Sequence, residues 1–269
     1  MNKIITKKIL SRLYNGVRKI YPQFGYRESD IYIASYAKSG RNWVHFLLAH
    51  AFELYSSQNK PINFYTISDW ISEDFPKKPP ASDIPLPRIV ARHRLHEGQD
   101  VRVMYIIRHP ADVMTSYYHY LIGRKNERLD SFASLIRDEN LGIPAWVEHV
   151  ESWQDHLNLL IRYEDLKEDA LHELSQMIRF IGLSSYFSED MLQEVVEKSS
   201  FESMSRIEKK WGLPEKPGKN SNFTFMREGK STQGKEMFSD TDYSYLESKA
   251  GHILERYGYD LEIDRPTAQ

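Results

Sequence analysis

Short apolar runs recur along the chain, each ending in polar residues and followed by a helical period. Ile31, Tyr32, Ile33 and Ala34 form an unbroken run of the length of a buried strand, and it opens into the small polar segment up to Gly40. From there Trp43, Phe46, Leu47, Ala51 and Leu54 recur at three- and four-residue spacing, which predicts one buried face of a helix. The same succession returns downstream. Pro87 to His93 reads as a short buried strand, and Val101 to Ile107 as a stronger one broken by Arg108-His109-Pro110. Pro110 suits a helix start, with Asp112 in its first turn and Val113, Ser116, Tyr117 and Tyr120 along it. Two helical patterns occupy about 131–156, a strand runs from Leu157 to Tyr163, and helices follow at 170–181, 188–197 and 241–257. Strands separated by helices predict the α/β class, with a mainly parallel sheet covered on its faces.

Two stretches interrupt the pattern. Between Pro61 and Pro87 the chain is rich in Pro, Ser and Asp, and five prolines from Pro76 onward forbid a long helix or a central strand. Such a long irregular segment is usually a lid or binding loop. Lys209 to Thr224, with Gly212, Pro214, Pro217 and Gly218, also reads as loop. No repeat, low-complexity block or linker divides the 269 residues, so a single domain over 1–269 is the economical reading. Residues 1–29 form a basic amphipathic segment, with Lys3, Lys7, Lys8, Arg12, Arg18 and Lys19 among Ile4, Ile5, Ile9, Leu10, Leu13, Val17 and Ile20. That composition suits a solvated helix packed on the domain, or weak contact with a membrane surface.

Bulk properties narrow the field. A formal net charge of −2 gives no global basic field for nucleic acid. Cysteine is absent, which removes disulfides and thiolate catalysis and argues against structural zinc. No run approaches the ~20 apolar residues of a membrane span, and the N-terminus lacks a secretory apolar core. A cytoplasmic location is the reading these features favour.

The chemistry concentrates where strands end. Lys38-Ser39-Gly40 joins a strand to a helix start, where unpaired N–H groups and the helix dipole attract anions. It is not the Walker pattern, which puts the lysine after the second glycine. On its own it would be a surface turn with an exposed lysine. Three further strand ends carry polar or cationic groups: Arg92-His93, Arg108-His109 and Tyr163-Glu164. Ligands of open α/β sheets bind outside the carboxyl ends of the strands. Together the four ends describe a cleft for a doubly anionic nucleotide.

These segments, in order from about Asp30 to Ser239, resemble the cytosolic-type sulfotransferases, which move a sulfuryl group from 3′-phosphoadenosine 5′-phosphosulfate (PAPS) to a hydroxyl or amine. The motifs that carry the resemblance are Tyr36-Ala-Lys-Ser-Gly-Arg-Asn-Trp43, Tyr105-Ile-Ile-Arg-His-Pro110 with its continuation to His119, Ile161 to Leu166, Ser199 to Met204, and Phe225-Met-Arg-Glu-Gly229 with Gly234, Lys235, Phe238 and Ser239 beyond. The resemblance implies a three-layer αβα, P-loop-like nucleotide-binding fold. It also implies that Lys38, Ser39, Gly40, Arg41, Asn42 and Trp43 hold the 5′-phosphosulfate, and that Arg108 and Ser116 grip the 3′-phosphate. Arg227, Glu228 and Gly229 would form a second clamp within a donor-closing loop at 209–239. Trp43 and Phe201 would stack the adenine, and Tyr163 would bond the base or ribose region. Singly, each aromatic would serve as core, Arg108 could pair with Glu164 or Asp165, and Ser116 could bond its own helix.

His93 matches the family's catalytic base, and Lys38 is the group that meets charge growing on the leaving oxygen. By resemblance His109 belongs to the 3′-phosphate motif. Glu164 and Asp165 look like helix-start residues. No metal is required by this chemistry. The acceptor is expected to be a phenol, sugar, steroid or lipid alcohol, beside a wall of Trp70, Phe75, Trp146, Tyr117, Tyr118 and parts of 213–225. Five positions depart from the family pattern: Arg41 and Asn42 replace threonines, Ala91 replaces a lysine, Glu228 replaces a basic residue and Gly234 a tryptophan. Arg92 and Arg94 are the candidates for the cation missing at Ala91. The alternatives are a non-catalytic adenosine-bisphosphate-binding relative and a P-loop nucleotide kinase. Retention of Lys38 and His93 argues against the first, and the absent Walker pattern and Trp43 against the second.

Overall fold

Strand β1 (Ile31–Ser35) is buried along its whole length, and its alternation sorts the core into two halves. Ile31 and Ile33 face one hydrophobic cluster, and Tyr32 and Ala34 face the other. The computed structural model describes residues 27, 29–56, 60–74, 82–98, 101–214, 223–226 and 237–259. After β1 come α1 (Arg41–Glu53), β2 (Ser72–Glu73), β3 (Ile89–Arg92), β4 (Arg102–Ile107), α2 (Pro110–Gly123), α3 (Phe132–Ile136) and α4 (Ile143–Trp153). Then follow β5 (Leu159–Arg162), α5 (Tyr163–Glu168), α6 (Ala170–Ile181), α7 (Glu189–Lys198), α8 (Phe201–Trp211) and α9 (Asp240–Arg256).

The five strands form one sheet in the order β2-β3-β1-β4-β5, and each described pairing is parallel. Helices α1, α6, α7 and α8 cover the face bearing Ile31 and Ile33 through Phe46, Leu47, Met177, Ile178, Val195 and Met204. On the opposite face α2, α4 and α9 pack through Val113, Met114, Trp146, Trp153, Leu246 and Leu254. The expected three-layer α/β architecture is therefore present.

β1 is flanked by β3 on one side and β4 on the other, so the ends of these three strands border one crevice. Asp30, fully buried at the foot of β1, accepts both Nε (2.7 Å) and Nη2 (2.6 Å) of Arg88 at the foot of β3. This forked pair fixes the register of the two strands that carry Lys38 and His93.

Three elements differ from the sequence expectation. The irregular stretch after Pro61 contains β2, a two-residue edge strand paired to β3. Tyr163 is the first residue of α5 rather than the end of a strand. Lys209, Lys210 and Trp211 complete α8 rather than begin a loop. The amphipathic segment at 1–26 and the closing-loop residues at 227–236 lie outside the described residues.

Candidate active site

The loop between β1 and α1 is shaped by two residues with positive φ, Lys38 at 71° and Gly40 at 99°. Gly40 has a steric reason to be glycine. A Cβ there would lie 2.4 Å from Cδ2 of Tyr163, so only a bare backbone can rest on that ring. α1 begins at Arg41 with no side-chain cap; the Trp43 N–H donates to the Gly40 carbonyl at 2.9 Å, and the N–H groups of Arg41 and Asn42 before it are left for an anion. Ser39 is buried with its Oγ unpartnered among the described residues, and so is Nε1 of Trp43, whose ring meets Tyr163 edge-on at 5.9 Å.

This loop opens onto a cavity of about 790 Å³. Its described wall holds six cations, Lys38, Arg41, Arg108, Arg124, Lys125 and Lys167, against a single carboxylate, Glu73. Arg108 is buried, with its guanidinium 4.3 Å from the centre of the Tyr163 ring. It donates to the Lys38 carbonyl at 3.4 Å and lies 3.4 Å from Asp112, one helical turn along α2. Neither acid suggested by the sequence takes it. Glu164 accepts the His109 N–H (3.0 Å) and the Tyr259 hydroxyl (2.8 Å), and Asp165 pairs with Arg162 at 3.1 Å. Lys38 Nζ lies 4.1 Å from the Phe225 ring centre and 4.7 Å from that of Tyr120. Arg41 reaches Glu73 at 3.3 Å, and burial pulls its guanidinium below the ordinary arginine range, partly offset by Glu73 and Asp74.

His93 follows β3 directly and lines the same cavity. Nδ1 lies 2.7 Å from the carbonyl oxygen of Ser35. A carbonyl only accepts, so Nδ1 carries the proton and Nε2 is the basic nitrogen. Enclosure by the protein walls, and then the charge of Arg41, push His93 well below its ordinary value; the Ser35 carbonyl opposes this, and His149 and Lys38 add to it. The imidazole is thus neutral and able to take a proton. His109 is engaged elsewhere: it caps α2, accepts from Ala111 N at 3.3 Å and packs against Tyr259.

Of the residues singled out by sequence, Lys38, Gly40, Arg41, Asn42, Trp43, His93, Arg108, Ser116, Tyr163 and Phe201 line this one cavity. Arg227, Glu228 and Gly229 lie outside the described residues. Ala91 is core, and neither arginine beside it reaches the cavity. Arg92 turns to the opposite face, 4.3 Å over the Tyr32 ring, and Arg94 pairs with Asp74 at 3.2 Å. Arg41 stands in the cavity in their place. The expected acceptor wall is corrected likewise. Trp70 and Trp146 are buried core residues and Tyr118 packs on Phe132, whereas Tyr117, Leu213, Pro214 and Phe225 do line the space. Phe75 lies outside the described residues.

Sequence reasoning passed over His45, Arg124, Lys125 and Lys167. His45 sits four residues after Arg41, hence on the same face of α1, and that spacing was the available signal. Burial, followed by Arg41 and His93, holds it neutral.

A family model described as sulfotransferase domain matches residues 28–250. The chain belongs to that family and is by class a PAPS-dependent sulfotransferase. Sulfotransferase 1A1 of Bos taurus is 29% identical over 199 residues, covering 66% of each chain. Sulfotransferase 1B1 of Canis lupus familiaris is 27% identical over 244 residues, covering 81% of this chain and 80% of the relative. Among solved structures, the mouse sulfotransferase SULT7A1 complexed with PAP superposes with a TM-score of 0.62 at 20% identity, covering 87% of this chain and 91% of that one. Retinol dehydratase in complex with androsterone and the inactive cofactor PAP gives 0.61 at 17% identity, covering 91% and 83%. At these identities the structural likeness bears on the fold.

Proposed function

We propose that the cavity binds PAPS and transfers its sulfuryl group in line to a small hydroxyl acceptor, with His93 as base and Lys38 at the leaving oxygen. The observation that carries this is the charge of the cavity: six cations against one carboxylate among the described lining residues, in a chain of net charge −2. A doubly phosphorylated donor meets that excess. The residues also fit its parts. The bare backbone at Gly40 and the uncapped start of α1 suit the 5′-phosphosulfate, whereas Ser39 is buried behind the loop and is not part of the cavity wall. Arg108 and Ser116 suit the 3′-phosphate, Trp43 and Phe201 offer aromatic surface to the base, and Tyr163, its ring against Gly40 and Arg108, is left a hydrogen-bonding role toward the base or ribose.

The acceptor oxygen attacks sulfur as its proton passes to Nε2 of His93. The sulfur–oxygen bond to the 5′-phosphate breaks, and the electron pair stays on the phosphate oxygen. Lys38 stabilises that charge, an interaction stronger in the transition state than in the ground state. The aromatic parts of the wall, Tyr36, Phe64, Tyr117 and Phe225, suit phenols, steroids, sugar faces or lipid alcohols.

Transfer of labelled sulfate from PAPS to a panel of these alcohols tests the assignment. The wild-type protein is expected to sulfate at least one class, and His93→Asn to do so about 10²–10⁴-fold more slowly. Full turnover in His93→Asn would remove the base, and no transfer to any class would remove the activity.

A further inference from the structure

A buried carboxylate is costly unless its oxygens are served. Glu208, on α8, is 8% exposed and is held by backbone: Oε1 accepts the N–H of Phe225 at 2.5 Å and Oε2 that of Met226 at 2.7 Å. Two charge-assisted bonds to consecutive amides fix the backbone of Phe225 against the helix that carries Phe201 and Met204. The ring so fixed lies 4.1 Å from Lys38 Nζ. Without such neighbours the lysine stem is a flexible chain with about 2 kcal/mol of rotamer entropy.

We propose that Glu208 is a positioning residue for Lys38, acting through Phe225. The carboxylate holds the Phe225 backbone, and the faces of Phe225 and Tyr120 hold the ammonium where the leaving oxygen will form. Glu208 touches no reacting atom. Its effect is on turnover through pre-organisation of a charge. The inference rests on the sulfuryl-transfer reading for its kinetic consequence, and on geometry alone for the order it gives Lys38.

Glu208→Gln keeps the shape but presents an amide N–H₂ where one backbone N–H must be accepted; Phe225→Leu removes the ring and leaves the carboxylate in place. Each is expected to lower kcat about three- to tenfold while changing affinity for adenosine 3′,5′-bisphosphate (PAP) less than about twofold. In a Lys38→Met background Glu208→Gln should have no further effect on kcat, because the group it positions is gone. Competitive acetylation of Lys38 in the nucleotide-free protein, read by mass spectrometry, should rise in both variants. Unchanged acetylation, or a Glu208→Gln loss in kcat that persists undiminished in Lys38→Met, would overturn the proposal. If wild type transfers no sulfate yet Lys38 labelling still rises in both variants, the sulfuryl-transfer reading fails and the positioning stands. If wild type is active and labelling does not move, the positioning fails alone.

Discussion

Lys38 holds a backbone conformation that costs a side-chain-bearing residue about 1–2 kcal/mol, and its ammonium lies over two aromatic rings at the cavity wall. A lysine kept in that posture is spent on placing one charge. Lys38→Met is therefore expected to lower kcat about 10²–10³-fold with the thermal midpoint unchanged. A fall in midpoint without a fall in kcat would mark the lysine as structural. His93 gives a second residue-scale test. With its pKa depressed, the imidazole should stay neutral in the free protein as pH falls through 6.5. A proton NMR titration, with His93 assigned by its loss in His93→Asn, should show no midpoint above that value; a midpoint at or above 6.5 would contradict the environment described. His93 was legible in the sequence because it follows a strand and matches the catalytic histidine of the sulfotransferases that the chain resembles; strand-end position alone would not have set it apart from His109. His45 was missed because a histidine inside an apolar helix period looks like core until Arg41 is seen on the same face. Nor does any pattern mark which of the two glutamates on α8 will be buried, so Glu208 was illegible.

At the scale of elements, the β1–loop–α1 unit was readable because strand, glycine turn and helix each carry a strong local signal, and it is also where the backbone is most constrained. Gly40→Ala combines a disfavoured φ with a Cβ driven into Tyr163. Equilibrium urea unfolding should show a loss of about 1–3 kcal/mol, together with loss of nucleotide binding. An unchanged urea midpoint would mean that the loop relaxes freely and is no fixed cradle. Elements with weak local signal were missed for physical reasons. β2 is two residues long and owes its strand conformation to pairing with β3. The end of α8 carries Lys209 and Lys210, which resemble loop composition; buried Glu208 and Met204 place that helix against the core.

Over the whole molecule, charge is distributed unevenly: the chain is slightly acidic, yet the cavity beside Lys38 and His93 is cationic. The fold also carries neutral buried imidazoles. His149, 2.8 Å from the Tyr105 hydroxyl, is lowered by burial to about 3, and His45 is likewise depressed. Below about pH 6.5 the unfolded chain protonates these groups and the folded chain does not, so the unfolded state binds more protons. Stability is then full above pH 6.5 and lost as pH falls, by about 2 kcal/mol at pH 5 for His149 alone. Urea midpoints at pH 7.5 and 5.0 should differ in that direction, and His149→Phe should reduce the difference; equal midpoints at both pH values would contradict it.

The most direct test of donor recognition is calorimetric titration of the purified protein with PAP, the spent donor. One molecule per chain should bind with micromolar or tighter affinity, weakening at least tenfold in Arg108→Ala as its 3′-phosphate loses a forked donor. Absence of binding to the wild-type chain would contradict the account at its centre.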